Sequence, residues 1–339
     1  MDEVILKSLY RGEKTLVSEI GDMSKVCKDK FKDGKGGKFL YEEELKDSFI
    51  LPGVEKSISK HCASGEFALT TDMVPQGICS FGGYVFTTAY SKSGDYSAVV
   101  YVFDAVSKEY ITTLVMHKAS HAGGIEYAKG YLWIGDTGAY DTGYLFYYDF
   151  EQIVSAVKCA VEDKTITAID MTGFNRGCIN LGKGNKASFL AGYKGYLCVG
   201  EYMKNVDDVG RLNLYNPVAL LDGVIKPQKL TTIPGNANGV LFYENGEQSY
   251  FLVTANVGRL VNSSVHVFKV NELGGTLTFE KMKTFEMPCM IEEAAIVDDK
   301  VYFVFESCAE IYRKKIAGKK VTKHIVGRVC GFDAEFVFG

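Results

Sequence analysis

Proline is scarce in this 339-residue chain, with 6 residues, and tryptophan occurs once. So little proline excludes a collagen-like or proline-rich extended chain. No apolar run comes near the roughly 20 residues that a helix needs to cross a bilayer. An excess of one charge is also missing: 38 Lys and Arg face 42 Asp and Glu, for a formal charge of −4. That balance supplies no field for holding nucleic acid, and the basic runs are short, Arg313-Lys314-Lys315 and Lys319-Lys320. The nine cysteines include no Cys-x-x-Cys pair, so the closely spaced thiolates of a structural zinc site are lacking. Their odd number leaves at least one thiol free, and most read as small buried residues in strands. There is no Gly-x-Ser-x-Gly, no P-loop, and no dinucleotide-binding Gly-x-Gly-x-x-Gly after a strand, so no nucleotide or redox cofactor is implied. The start, Met1 to Lys7, lacks the apolar stretch of a secretory leader. As written the chain reads as cytoplasmic, or as exported if a leader has been removed.

What is present is apolar and aromatic: 47% hydrophobic residues, 21 Tyr, 21 Phe and 36 Gly. That composition can bury a sizeable core and excludes disorder. Residues 1–65 differ in texture from the rest. Lys25 to Lys46 is dense in charge, and Glu3 to Tyr10 and Thr15 to Val26 carry the three-to-four apolar spacing of short helices. This part reads as an irregular, partly helical N-terminal extension, followed by a second unit over 66–339.

From Glu66 onward the chain becomes short aromatic and β-branched runs broken by Gly, Asn and Asp. Examples are Tyr84 to Thr88, Val99 to Phe103, Tyr131 to Ile134, Tyr196 to Val199, Tyr250 to Val253 and Val301 to Phe305. Such runs predict strands at the close spacing of an all-β fold. No long amphipathic helix interrupts the pattern, which argues against a parallel α/β sheet. One unit recurs five times: a small or polar start, an apolar strand, a tight turn, then a stronger aromatic strand. The turns are Gly82-Gly83, Lys129-Gly130, Lys194-Gly195, Asn245-Gly246 and Asp298-Asp299. The strong strands follow one another at 47, 65, 54 and 52 residues, counted from Tyr84 through Tyr131, Tyr196 and Tyr250 to Tyr302. A repeat of about 40–60 residues, each a small antiparallel sheet, predicts a β-propeller. Five blades fit the count; six stay open, because the 65-residue interval has room for an irregular one.

In each unit the start of the inner strand and the end of the second strand lie at the same end of the blade. Those positions hold Gln76, His121, Asn236, Asn238, Glu292 and Glu293 on one side. On the other they hold Tyr90, Asp136, Glu201, Tyr202, Asn256, Arg259 and Glu306. A propeller brings them to one concavity near its axis, which is the expectation for a ligand site. His121, Glu201 and Glu293 are the candidate catalytic residues: His121 or Glu293 as base and Glu201 as acid. Gln76, Tyr90, Asn238, Arg259 and Glu306 are the candidate ligand contacts, with Arg259 suited to an anionic group. The same groups, paired between blades, would only tie the ring together.

The ordered series Val74-Pro75-Gln76-Gly77-Ile78, His121 to Ile125, Val199 to Tyr202, Val257-Gly258-Arg259 and Phe305-Glu306-Ser307 resembles a group of bacterial β-propeller proteins found mostly in Firmicutes. The likeness spans about residues 70–315 and implies a fold, not an activity. Pro75-Gln76-Gly77 also looks distantly like the Gln-Gly element of five-bladed glutaminyl cyclases. The expected function is binding of a small polar ligand, a sugar or peptide fragment, in an axial pocket, with hydrolase, transferase or lyase chemistry left open. The alternative is a non-catalytic module for a protein partner. No cofactor is required, although the carboxylates leave room for a divalent cation such as Ca²⁺; neither nucleic acid nor a membrane is an expected partner.

Overall fold

The computed structural model describes residues 32–33, 48–51, 56–138, 141–204, 209–246, 248–273, 276–314 and 320–339. The helices expected over Glu3 to Tyr10 and Thr15 to Val26 lie outside them, as does the Lys25 to Lys46 stretch apart from Lys32–Asp33.

Five antiparallel sheets follow one another along the chain, each a blade numbered here from inner to outer strand. Blade I is Met73–Phe81, Tyr84–Ser91, Val99–Asp104 and Tyr110–Val115, and blade II is Gly124–Ala128, Tyr131–Thr137, Thr142–Asp149 and Arg176–Lys183. Blade III is Phe189–Tyr193, Tyr196–Gly200, Val209–Tyr215 and Lys229–Pro234. Blade IV is Ala237–Asn245, Gln248–Ala255, Ser263–Leu273 and Thr276–Met287, with Lys32–Asp33 added at its edge. Blade V has Ile291–Val297, Lys300–Phe305 and Arg328–Asp333, and its outer strand is Phe49–Ile50. Each inner strand touches the inner strand of the next blade, and that of blade V touches that of blade I. The ring is therefore closed: a five-bladed β-propeller.

The tight turns form because their residues tolerate left-handed backbone. Lys129 and Gly130 have φ of 52° and 83°, and Lys194 and Gly195 have 45° and 81°, which suits the turns that match strand twist. Five apolar clusters fill the five seams between blades. In the seam between blades V and I, Phe49 packs its ring 4.8 Å from Phe103 and 5.6 Å from Tyr302. A strand from ahead of residue 66 thus helps to close the ring.

The long interval between Tyr131 and Tyr196 does not hold a sixth blade. It contains a helix, Phe150–Glu162, and a short strand, Ala168–Asp170, that runs parallel to the outer strand of blade I. This corrects the expectation of an uninterrupted run of strands. Phe150, Ile153, Val157 and Ala160 form the buried helix face, at the three-to-four spacing that specifies it.

The inner strands surround a narrow axis, and a single side chain fills its middle. Glu293 of blade V is 0% exposed. Its Oε2 accepts the Ile78 N–H of blade I at 3.0 Å and the Ile125 N–H of blade II at 3.4 Å. Its Oε1 accepts the Leu190 N–H of blade III at 2.8 Å. Blade IV meets it through Gly239, where an added Cβ would fall 2.7 Å from the Glu293 Cα. Gly77 leaves similar room, since a Cβ there would be 2.8 Å from Oε2. Glycine at these starts lets one carboxyl group touch all four other blades.

Glu293→Ala strands three buried N–H groups at once. At about 1–3 kcal/mol for each unsatisfied group, it should lower unfolding stability by at least about 3 kcal/mol. Chemical denaturation of the two proteins checks this, and equal midpoints would contradict it.

Candidate functional site

Three inner strands carry a β-bulge where they leave the mouth of the axis. The pairing register slips between Pro75 and Ile78, between Ala237 and Gly239, and between Ile291 and Ala294. Bulged residues are freed from strict alternation and can be re-aimed. They are Gln76 with Gly77, Asn238, and Glu292 with Glu293. Two starts are further set by non-glycine residues in left-handed backbone, Asn236 (φ 59°) and Met290 (φ 68°). The carbonyls of these residues accept the Asn256 N–H and the Glu306 N–H, both at 3.0 Å. In blade III the Ser188 N–H bonds the Gly200 carbonyl at 2.9 Å. These bonds hold the start of an inner strand against the end of its neighbour, as the repeat predicts.

The mouth is centred on two carboxyl groups of blade V. Glu292 is 5% exposed, and the Asn238 Nδ2 donates to its two oxygens at 3.0 and 2.9 Å. Glu292 and Glu306 are close enough for each to influence the other's protonation. Burial, reinforced by the Glu306 charge, holds Glu292 well above the carboxylate range. Burial also pushes Glu306 up to about 7, opposed by the Tyr312 hydroxyl, the Lys92 charge, the Glu292 proton and the Gln76 amide. The Gln76 Nε2 lies 3.4 Å from the Glu306 Oε2.

Tyr312 and Tyr90 lie beside Glu306, within reach of its charge. Lys92 Nζ donates to the Tyr90 hydroxyl at 3.0 Å. The Tyr90 ring stacks on His121 at 4.6 Å and 22°. His121 is open to solvent yet set down among protein atoms. The thin hydration, with Lys92 nearby and against the Asp136 carboxylate, keeps its imidazole below the usual range and neutral. Its backbone N–H bonds Asp136 Oδ1 at 2.7 Å. The Arg259 guanidinium lies over the Tyr312 ring at 4.9 Å, and Tyr202 of blade III is close enough to feel the charges of Glu292 and Glu306.

The structure brings Gln76, Tyr90, His121, Asn238 and Glu306 together around this mouth, with Arg259 behind Tyr312. Two candidates sit otherwise. Glu293, read from the sequence as a base in the pocket, is sealed in the axis with both oxygens taken by backbone. Glu201, read as an acid, receives the Arg211 Nε at 2.8 Å within its own blade. Lys92 and Tyr312 escape the sequence reading, because they stand beyond the strand ends on a loop and a short helix, Glu310–Arg313. The helix follows blade V's second strand; Tyr312 belongs to the apolar cluster that holds Tyr90, and the periodicity of the blades carries no sign of it.

At the far end of the axis Glu126 accepts the Gly192 N–H at 2.8 Å, and burial pushes it up to about 7. Among the described residues no group of three or more His, Cys, Asp or Glu is placed to hold a metal ion. No described helix is long and apolar enough to cross a membrane. Five of the eight described cysteines are buried.

No protein-family model matches the chain. No curated protein sequence matches it. Solved structures with a similar course include a GH43 β-xylosidase/α-arabinofuranosidase from a compost microbial metagenome in complex with xylotriose. It is 9% identical, with a TM-score of 0.44 over 77% of this chain and 90% of that one. An α-L-arabinofuranosidase from Clostridium thermocellum is 8% identical, with a TM-score of 0.40 over 76% and 95%. A mitotic checkpoint complex chain is 9% identical, with a TM-score of 0.38 over 84% and 83%.

The raised carboxyl groups fix the sign of the pH dependence. Each binds its proton more tightly folded than unfolded, so stability is greatest below the ordinary Glu range and falls as pH rises toward about 7. Thermal unfolding should show a higher Tm at pH 5 than at pH 8. Glu306→Gln, which mimics the neutral form, should flatten that slope; an unchanged slope would contradict the assignment.

Proposed function

We propose that the axial mouth binds a small polar ligand, a sugar or a peptide fragment. The observation that carries this reading is the convergence of side chains from all five blades on one carboxyl pair. Gln76 and Tyr90 come from blade I, His121 from blade II and Tyr202 from blade III. Asn238 comes from blade IV, and Glu292 and Glu306 from blade V. The stacked rings of Tyr90 and His121 offer an apolar surface. The amides, hydroxyls and carboxyl groups beside it offer directional hydrogen bonds, the combination that small-molecule sites use. Glu293 forms the floor and stops the ligand from passing down the axis.

A second reading is a non-catalytic module for a protein partner. Two acids at the strand ends are already engaged, Glu201 by Arg211 and Asp136 by the His121 N–H. The loop beside Arg259 exposes Val257, Leu260 and Val261.

Thermal-shift titration with a panel of mono- and disaccharides and dipeptides separates the readings. The pocket reading predicts a panel member that raises the Tm of the wild type and fails to do so for Tyr90→Ala and His121→Ala. No shift from any member, or a shift unchanged in both variants, would overturn it in favour of the second reading.

A further inference from the structure

Resting on that reading of the mouth, we propose that its ligand is an acidic sugar, whose carboxylate or phosphate seats beside Tyr312, clamped by Arg259 and drawn in by Lys92. The first observation is that these two cations have no carboxylate at ion-pair distance. Elsewhere Lys60, Lys186, Lys194, Lys229 and Lys300 each pair with an Asp or Glu. Lys92 instead donates to the Tyr90 hydroxyl at 3.0 Å, and acts on Glu306 only from farther off. The Arg259 Nη1 donates to the Lys320 carbonyl at 3.3 Å. Among the described residues these are the only hydrogen bonds that the two side chains make.

The second observation is that both cations are stationed on one buried ring. The Arg259 guanidinium lies 4.9 Å from the centre of the Tyr312 ring, and Lys92 Nζ lies 5.8 Å from it and 5.4 Å from that of Tyr90. They arrive from different blades: Lys92 follows the second strand of blade I, and Arg259 follows the second strand of blade IV. The Arg259 backbone is held as well, because its carbonyl accepts the Lys323 N–H at 2.8 Å and the Thr322 hydroxyl at 3.1 Å. Gathering like charges about one ring is unfavourable, and an anion beside that ring reverses the sign. The Nε and Nη2 groups of Arg259 have no partner among the described residues. That edge of a guanidinium takes a carboxylate or phosphate through two parallel hydrogen bonds, while a lysine adds a point charge.

The third observation concerns the inner end. Both Glu292 oxygens accept the Asn238 Nδ2, Glu306 Oε2 accepts the Gln76 Nε2, and Asn238 Oδ1 has no donor. Hydroxyl groups both donate and accept, so they suit a lining of carboxyls and amides whatever protons the carboxyls carry. An anion is repelled from these acids and belongs at the rim. The ligand is therefore hydroxylated at its inner end and anionic at its outer end.

Calorimetric titration of the full chain tests this with glucuronate, galacturonate and glucose 6-phosphate, each beside its neutral parent sugar. At least one acid should bind about 10-fold or more tightly than its parent. Which acids bind separates a carboxylate ligand from a phosphate one. The preference should vanish in the K92Q/R259Q double variant, and R259K, which keeps the charge but loses the fork, should retain only part of it. Added salt should weaken binding of the acids to the wild type and leave the parents unchanged, a readout that needs no variant. Equal binding of acid and parent, a preference that survives the double substitution, or one that salt does not touch would overturn the proposal while leaving the mouth a ligand site. Binding of no sugar would overturn it too, and the dipeptides of the thermal-shift panel then show separately whether the mouth binds a ligand.

Discussion

One carboxyl group, that of Glu293, holds the centre of this ring. Radial stacking of sheets leaves backbone N–H groups of the innermost strands facing the axis, where each needs an acceptor. Glu293 answers three of them, from blades I, II and III, while it is itself anchored in blade V and packed on blade IV. Burial drives its proton affinity up, and the three N–H donors pull it down. Such a group is stabilising only while every partner is present, because a lost partner leaves a buried polar atom unsatisfied. The small residues at the strand starts follow from it, since a side chain at Gly77 or Gly239 would occupy its place.

Glu293 closes the axis below the mouth. The bulge in blade V turns two consecutive glutamates in different directions, one into the axis and one toward the mouth. Glu292 then lies near Glu306, and burial of the two acids raises the proton affinity of both. The stacking of Tyr90 on His121 and the bonds from Lys92 and Tyr312 extend the mouth outward.

The blades were largely legible in the sequence, because a hairpin turn and an aromatic strand are local features. Lys129-Gly130 or Lys194-Gly195 specifies its turn without help from the rest of the chain. The helix Phe150–Glu162 was also written in local spacing, at Phe150, Ile153, Val157 and Ala160, but the surrounding strands masked it. Convergence of Gln76, Tyr90, Asn238 and Glu306 followed from the repeat alone. What distinguishes Glu292 from Glu293 did not. That depends on a bulge and on three strands far away in sequence. The pairing of Glu201 with Arg211 and the arrival of Tyr312 beneath Arg259 likewise depend on loops whose course no periodicity encodes.

Hydrogen–deuterium exchange at the Ile78, Ile125 and Leu190 amides tests the axial tie most directly. In the wild type these three should be among the slowest to exchange, although they belong to different blades. In Glu293→Gln they should accelerate together while third-strand amides such as those of Val102 and Leu214 keep their rates. Three unrelated rates in the wild type, unmoved by the substitution, would show that the blades hold together without this carboxyl group.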